Sequence, residues 1–228
     1  MPIEDCTTYT EVDGSVGLTV TAPKVDANVS SAVADDYVYK DYTADYFNAL
    51  NVFFEGYMNS TNSTTWGMGA MGLTVTAVND RTGWGTSDVS LALWKNDTGQ
   101  VYTELCRGNE VAVATNYSGL ALNTLYYFKL TRVAGSDTIN LYVYSDSART
   151  SPVFSLTLAG FGTATKYRYS YGFVNKNSGV GGRNFQGYIQ NLDFTQSSIK
   201  TITGLAKASV KTINGLAIAS VKTWDGLA

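Results

Sequence analysis

The chain is expected to fold as an all-β protein, a jelly-roll sandwich of two stacked antiparallel sheets followed by a short β-rich tail. Three observations carry that expectation. Short runs rich in β-branched and aromatic residues recur between clusters of Gly, Asn, Asp and Ser. Several of these runs alternate apolar and polar residues with period two, and no segment sustains a helical period.

Taken in order, about a dozen strands are read, the clearest at 17–22 (GLTVTA), 51–55 (NVFFE), 72–78 (GLTVTAV), 89–94 (VSLALW) and 101–105 (VYTEL), then at 125–132 (LYYFKLTR), 138–144 (TINLYVY), 153–158 (VFSLTL), 167–174 (YRYSYGFV) and 185–194 (FQGYIQNLDF). In TINLYVY, Ile139, Leu141 and Val143 share one face while Asn140, Tyr142 and Tyr144 share the other. A strand with one apolar face needs a second sheet to cover it, and many such strands in one chain give two packed sheets.

Composition sets the outer limits. At 228 residues and 44% hydrophobic content the chain can bury one sizeable core, and its charged residues, only 15%, give way on the surface to Thr, Ser, Asn and Gly. The net charge of −3 and the lack of any Lys/Arg run exclude an electrostatic footprint for nucleic acid. No run of about 18 apolar residues occurs, so no membrane-inserted helix is expected. Cys6 and Cys106 show no metal-type spacing and read either as free thiols or as a pair that the fold would have to bring together. The opening MPIEDCTTYTEVDGSV has neither a basic nor an apolar signal region. The protein is therefore expected to be made in a host cytoplasm without a signal peptide and to reach the outside as part of a virion, or else to remain cytoplasmic.

Three segments carry a family resemblance. They are LNTLYYFKLTRVAGSDTINLYVYSD from Leu122, YRYSYGFVNKNSGVGG from Tyr167 and RNFQGYIQNLDFTQ from Arg183. An aromatic strand with Tyr127 and Arg132 leads through the hairpin Ala134-Gly135-Ser136-Asp137 into Leu141-Tyr142-Val143, and a closing strand carries Phe185, Gly187, Ile189 and Leu192. This order and spacing resembles the concanavalin A-like lectin/glucanase superfamily, laminin G-like domains in particular, over about residues 10–196. The resemblance implies the sandwich for residues 1–197 and says more about scaffold than about activity.

Residues 198–228 are set apart as the tail. The chain closes on nearly three copies of an 11-residue unit, IKTITGLAKAS, VKTINGLAIAS and VKTWDGLA. A helical reading would use 11 residues for three turns, yet each unit carries Gly and is rich in Val, Ile and Thr, which are poor helix formers. Asn214-Gly215 and Asp225-Gly226 are preferred two-residue hairpin turns, with Thr203-Gly204 a weaker version. A three-strand meander follows, too small to be stable by itself. It is expected to serve assembly or attachment through Ile199, Ile202, Leu205, Val210, Ile213, Leu216, Ile218, Val221 and Trp224. This tail is also similar to the termini of tailed-bacteriophage structural proteins that carry lectin-like domains.

Catalytic chemistry is sparse. The chain has no histidine, which removes Ser-His-Asp and Cys-His catalysis and imidazole metal sites. Glucanases share the expected fold and present paired carboxylates on one strand; here the near match Glu11-Val12-Asp13 lacks its second Glu. Glycan binding is offered by the loops around Trp66 and Trp84, with Asp88 as a polar partner. The resemblance also admits calcium as a cofactor, with Asp97 or the Asp35-Asp36 pair as candidates. The expectation is a non-enzymatic structural protein of a phage particle, a capsid decoration or tail-associated protein. Its partners would be other copies or virion proteins through the repeat, and a cell-surface glycan through the sandwich. A free carbohydrate-binding lectin is the first alternative and a glycoside hydrolase the second.

Overall fold

The structure is a computed structural model. It describes residues 3–14, 16–30, 36–59, 67–77, 83–95, 101–109, 111–175 and 184–194, and in the C-terminal segment the pairs 201–202, 205–206, 212–213 and 216–217. The side chains of 30, 67–70, 94–95, 116–119, 184 and those four pairs lie outside the described set. Two compact units divide the chain, Met1–Phe194 and Thr195–Ala228.

Among its described residues the first unit holds one turn of 3-10 helix at Cys6–Thr8 and fourteen strands: β1 (Thr10–Asp13), β2 (Leu18–Thr21), β3 (Lys24–Ser30), β4 (Asp36–Asp41), β5 (Leu50–Met58), β6 (Gly67–Thr74), β7 (Val89–Lys95), β8 (Val101–Arg107), β9 (Ala112–Leu120), β10 (Leu125–Arg132), β11 (Ile139–Tyr144), β12 (Pro152–Leu158), β13 (Tyr169–Asn175) and β14 (Asn184–Phe194). They form two seven-stranded antiparallel sheets, β1-β4-β13-β6-β7-β8-β9 and β12-β11-β10-β5-β14-β3-β2. The all-β jelly-roll sandwich read from the sequence is the observed fold.

Period-two burial builds the interior. On β5, Leu50, Val52, Phe54 and Met58 are buried and the intervening residues are half-buried; on β10, Tyr126, Phe128, Leu130 and Arg132 do the same. Phe54 and Phe128 are cross-strand partners whose rings stack at 4.8 Å and 5°, a close pair worth roughly 1 kcal/mol beyond its buried area. Beside them, a Cβ at Gly56 would press on Leu93 of the opposite sheet and on Phe128, so glycine lets the two sheets meet there.

Four strands were not among the clear sequence runs: β1, β3, β4 and β9. In β3, Val25, Ala27 and Val29 are buried while Lys24, Asp26 and Asn28 alternate with them, so the period is regular, but Asp and Asn are poor strand formers and mask it. The run expected at 72–78 is displaced, because β6 ends at Thr74, whose hydroxyl turns to bond the carbonyl of Thr76 at 2.7 Å. Arg132, 3% exposed, ends β10 by donating to the carbonyls of Ser136, Thr165 and Gly162 at 2.8, 2.8 and 2.6 Å, which ties two loops to the strand. Cys6 and Cys106 are both buried and form no disulfide with one another, which settles the pairing left open by the sequence.

The outer face of the first sheet is covered by a second apolar layer. Tyr37, Tyr102, Tyr171, Val174 and Ala92 are buried there beneath Trp84, which is 4% exposed and lies 5.3 Å from the Tyr171 ring. Gly72 makes room for it, since a Cβ at that position would overlap the indole. Asp88, 2% exposed, holds the loop that carries Trp84 by accepting from the backbone N–H groups of Val75 and Gly85 at 2.8 and 2.7 Å.

In the second unit, β15 (Thr201–Ile202) pairs with β16 (Leu205–Ala206), and β17 (Thr212–Ile213) pairs with β18 (Leu216–Ala217). Ile202 pairs with Leu205 and Ile213 pairs with Leu216, while the Thr203-Gly204 and Asn214-Gly215 dipeptides expected to turn lie outside the described residues. The continuous nine-residue strands of a meander are not seen among the described residues, which form two separate two-stranded ladders. Ile199, Val210, Ile218, Val221 and Trp224 lie outside the described residues.

Because Trp84 is a packing residue, Trp84→Ala should destabilise the sandwich by about 3–5 kcal/mol. Its Nε1 finds no acceptor, so Trp84→Phe, which keeps an aromatic ring and removes an unsatisfied donor, should cost far less. Denaturant unfolding of both variants checks this; equal losses, or no loss with Ala, would contradict the assignment.

Candidate functional site

Of the residues proposed from sequence for glycan binding, the two that are described, Trp84 and Asp88, do not present a surface site. Trp66 lies outside the described residues. Trp84 and Asp88 are interior, and this corrects the expectation that they present a ring and a carboxylate to a ligand. The physical reason is the small-residue spacing around them. Gly72 opens a slot that the indole fills, and Gly85 brings its N–H to the Asp88 carboxylate. Burial pushes the Asp88 carboxyl above the usual range, opposed by its two backbone donors.

Of the calcium candidates, only Asp36 is among the described residues. Asp97 and Asp35 lie outside the described residues, and Asp36 is fully buried at the start of β4, accepting from the Asn175 amide at 3.4 Å. Among the described residues no three His, Cys, Asp or Glu side chains gather as a metal ion would require. Of the near-glucanase triplet, Asp13 is committed elsewhere: it accepts from the N–H groups of Gly17 and Leu18 at 2.8 and 3.1 Å, closing the connection into β2.

Two outer faces remain to be compared. The first sheet carries a tyrosine ladder, with Tyr39 and Tyr171 stacked at 5.7 Å, but only Tyr39 and Tyr169 keep part of their surface. The Arg168 guanidinium sits 5.0 Å from the Tyr169 ring and bonds both oxygens of Asp41 at 2.7 and 2.6 Å, which pulls the Asp41 carboxyl down to about 2. Ring faces there are taken up by one another and by an arginine that already has its acid.

The second sheet is different. An open groove of about 430 Å³ lies on its outer face across β2, β3, β14 and β5, lined by Thr19, Asp26, Asn28, Tyr57, Gln186 and Tyr188 among others. Strand alternation places them. On β14, Phe185 and Ile189 point to the core and Gln186 and Tyr188 point outward, while on β3 the outward residues are Asp26 and Asn28. Tyr57 and Tyr188 are cross-strand partners with near-parallel rings at 4.9 Å and 11°.

The polar groups around the rings are fixed by one another. The Gln186 amide donates to Asn28 Oδ1 at 2.8 Å, the Tyr57 hydroxyl donates to Asn123 Oδ1 at 3.3 Å, and Lys24 pairs with Asp26 at 2.8 Å while its ammonium lies 4.9 Å from the Tyr188 ring. Beyond the bond between them, the Asn28 and Gln186 amides on the groove lining have further donor and acceptor capacity by their chemistry. Chemically this is a shallow aromatic floor bordered by amides and one carboxylate. Sequence reasoning missed it because tyrosines at alternating strand positions read as sheet packing. The signal that could have found it is the outward set Gln186-x-Tyr188-x-Gln190 opposite Phe185-x-Gly187-x-Ile189.

No protein-family model and no curated protein matches the chain. Solved structures do. A functionally unknown protein from Saccharomyces cerevisiae matches at a TM-score of 0.56 and 12% identity, over 84% of this chain and 97% of that one. The legume lectin-like domain from Entamoeba histolytica matches at 0.56 and 10%, over 81% and 87%. Peanut lectin matches at 0.51 and 10%, over 78% and 90%. At these identities the likeness is one of fold: the sandwich has the lectin-like, concanavalin A-type jelly-roll architecture.

Proposed function

We propose that the protein is a non-enzymatic carbohydrate-binding sandwich that recognises its glycan on the outer face of the second sheet. The observation that carries this reading is the groove itself, in which the paired rings of Tyr57 and Tyr188 lie beside Asn28, Gln186 and Asp26. A sugar presents a C–H face that packs on an aromatic ring and a rim of hydroxyls that needs both donors and acceptors; amides and a carboxylate supply them. The lectin-like fold supports the reading as an analogy of architecture.

Binding without hydrolysis is supported by the use made of the acids. Among the described residues Asp26 is the one carboxylate on the groove lining, whereas glycoside hydrolysis calls for two. Glu55, farther along β5, already accepts from the Gln190 amide at 2.7 Å.

A second reading concerns the tail, and its support is the repetition of one hairpin at an 11-residue interval, Thr201–Ala206 and then Thr212–Ala217. Ladders this small need a partner surface to be stable. We propose that they attach the sandwich to a larger assembly through Ile202, Leu205, Ile213 and Leu216 and their neighbours, as a capsid decoration or tail-associated protein of a phage particle would be attached.

Glycan-array screening followed by titration of the best ligand tests the first reading. Tyr188→Ala should weaken binding by about tenfold or more, the scale of losing one aromatic stacking contact, while the melting temperature shows the sandwich intact. Unchanged affinity would contradict the site. Sedimentation of the full chain beside a chain ending at Gln196 tests the second reading: a defined oligomer or particle association should require the tail, and identical monomers in both cases would count against it.

A further inference from the structure

The groove does not end the outer face of the second sheet. Along β5 the outward side chains continue from Tyr57 through Glu55 to Phe53, roughly 13 Å away at about 3.3 Å per residue. Phe53 is opposite Lys129 on β10, whose ammonium lies 5.6 Å from the ring centroid. From the turn between β11 and β12, Arg149 brings its guanidinium 4.8 Å from Phe53 and 5.9 Å from Tyr127. All four side chains are half-buried, and Tyr142, exposed, is opposite Lys129 on β11.

Among the described residues these two cations have no acid partner. The ion pairs of the described residues are Lys24–Asp26, Lys40–Glu4, Lys166–Asp45 and Arg168–Asp41, and neither Lys129 nor Arg149 belongs to them. The Arg149 Nε is buried without an acceptor, and one terminal nitrogen makes only a 3.4 Å bond to the Ser147 carbonyl. Of the neighbouring carboxylates, Glu55 accepts from the Gln190 amide, Asp146 accepts from the N–H groups of Thr150 and Ser151, and Asp193, opposite Phe53 on β14, is buried.

The turn is also built to hold Arg149. That residue has φ +56°, a left-handed conformation that side chains disfavour, and the Asp146 carboxylate fastens the two residues after it. Two unpaired cations fixed over aromatic rings, on an acidic protein, form a receptor for a negative group. A guanidinium fork matches a carboxylate or a sulfate, and the rings match the sugar that would carry it.

We propose that Lys129 and Arg149 form a charged subsite of the same glycan surface and that the ligand is an acidic polysaccharide, bearing uronate carboxylates or sulfate esters. The proposal rests on the glycan reading given above. An extended chain seated on Tyr57 and Tyr188 would reach Phe53 along β5 and present its acid group there.

Binding of the full-length protein to polygalacturonate, dextran sulfate, neutral dextran and poly-glutamate tests it. One or both acidic glycans should bind at least about tenfold more tightly than dextran, with added salt weakening them, and which of the two binds identifies carboxylate or sulfate. In Lys129→Gln with Arg149→Gln, folded by melting temperature, that preference should collapse, and Arg149→Lys should restore part of it over Arg149→Gln. Equal binding of acidic and neutral glycans, or a preference that survives the double substitution, overturns the charged subsite and leaves the glycan reading standing. Binding of poly-glutamate as tight as that of the acidic glycans overturns the saccharide subsite in favour of a bare anion patch. No binding to any glycan overturns both.

Discussion

Two seven-stranded sheets share one apolar interior, and that sharing constrains everything else in the sandwich. Each strand gives alternate residues to the common core, so Phe54, Phe128, Leu130 and Leu141 on one sheet meet Leu73, Leu91, Leu93 and Leu105 on the other. Only the outward half of each strand is then free for recognition. On the first sheet that half is spent again, since Tyr37, Tyr102 and Tyr171 are closed over by Trp84. Among the described residues the outer face of the second sheet has no such cover on Tyr57 and Tyr188, and the groove follows from that asymmetry.

The acids of the chain serve this architecture. Asp13, Asp88 and Asp146 each accept from two backbone N–H groups and fix a connection: β1 to β2, β6 to β7 and β11 to β12. A carboxylate held in this way stabilises a turn and has little left for a substrate. The same habit explains why a sequence with 19 acidic residues offers so little catalytic geometry among those described. What remains toward solvent on the second sheet is aromatic, amide-bearing and, near Phe53, cationic.

Much of the fold was legible because period-two alternation is a direct consequence of having one face buried. TINLYVY and FQGYIQNLDF could be read as strands, and the apolar face read in TINLYVY, Ile139, Leu141 and Val143, is the buried one. The strand KVDANVS obeys the same rule but escaped notice, since burial of Val25, Ala27 and Val29 is decided by tertiary packing and not by the propensity of the Asp and Asn between them. The site was less legible. Whether a ring in a loop faces outward depends on the space beneath it, and nothing in the run DRTGWGTSD shows that Gly72, on another strand, opens a slot for Trp84. Tyr188 is the converse case, a strand residue whose outward side the fold leaves free.

The central claim is that glycan binding belongs to the second sheet and not to the first. Ring-carbon NMR of the tyrosines, recorded while titrating a glycan that binds, tests this most directly because both outer faces carry tyrosines. The account predicts that the resonances of Tyr57 and Tyr188 move with saturation while those of Tyr39 and Tyr169 stay in place. Shifts confined to Tyr39 and Tyr169, with Tyr57 and Tyr188 unmoved, would contradict it.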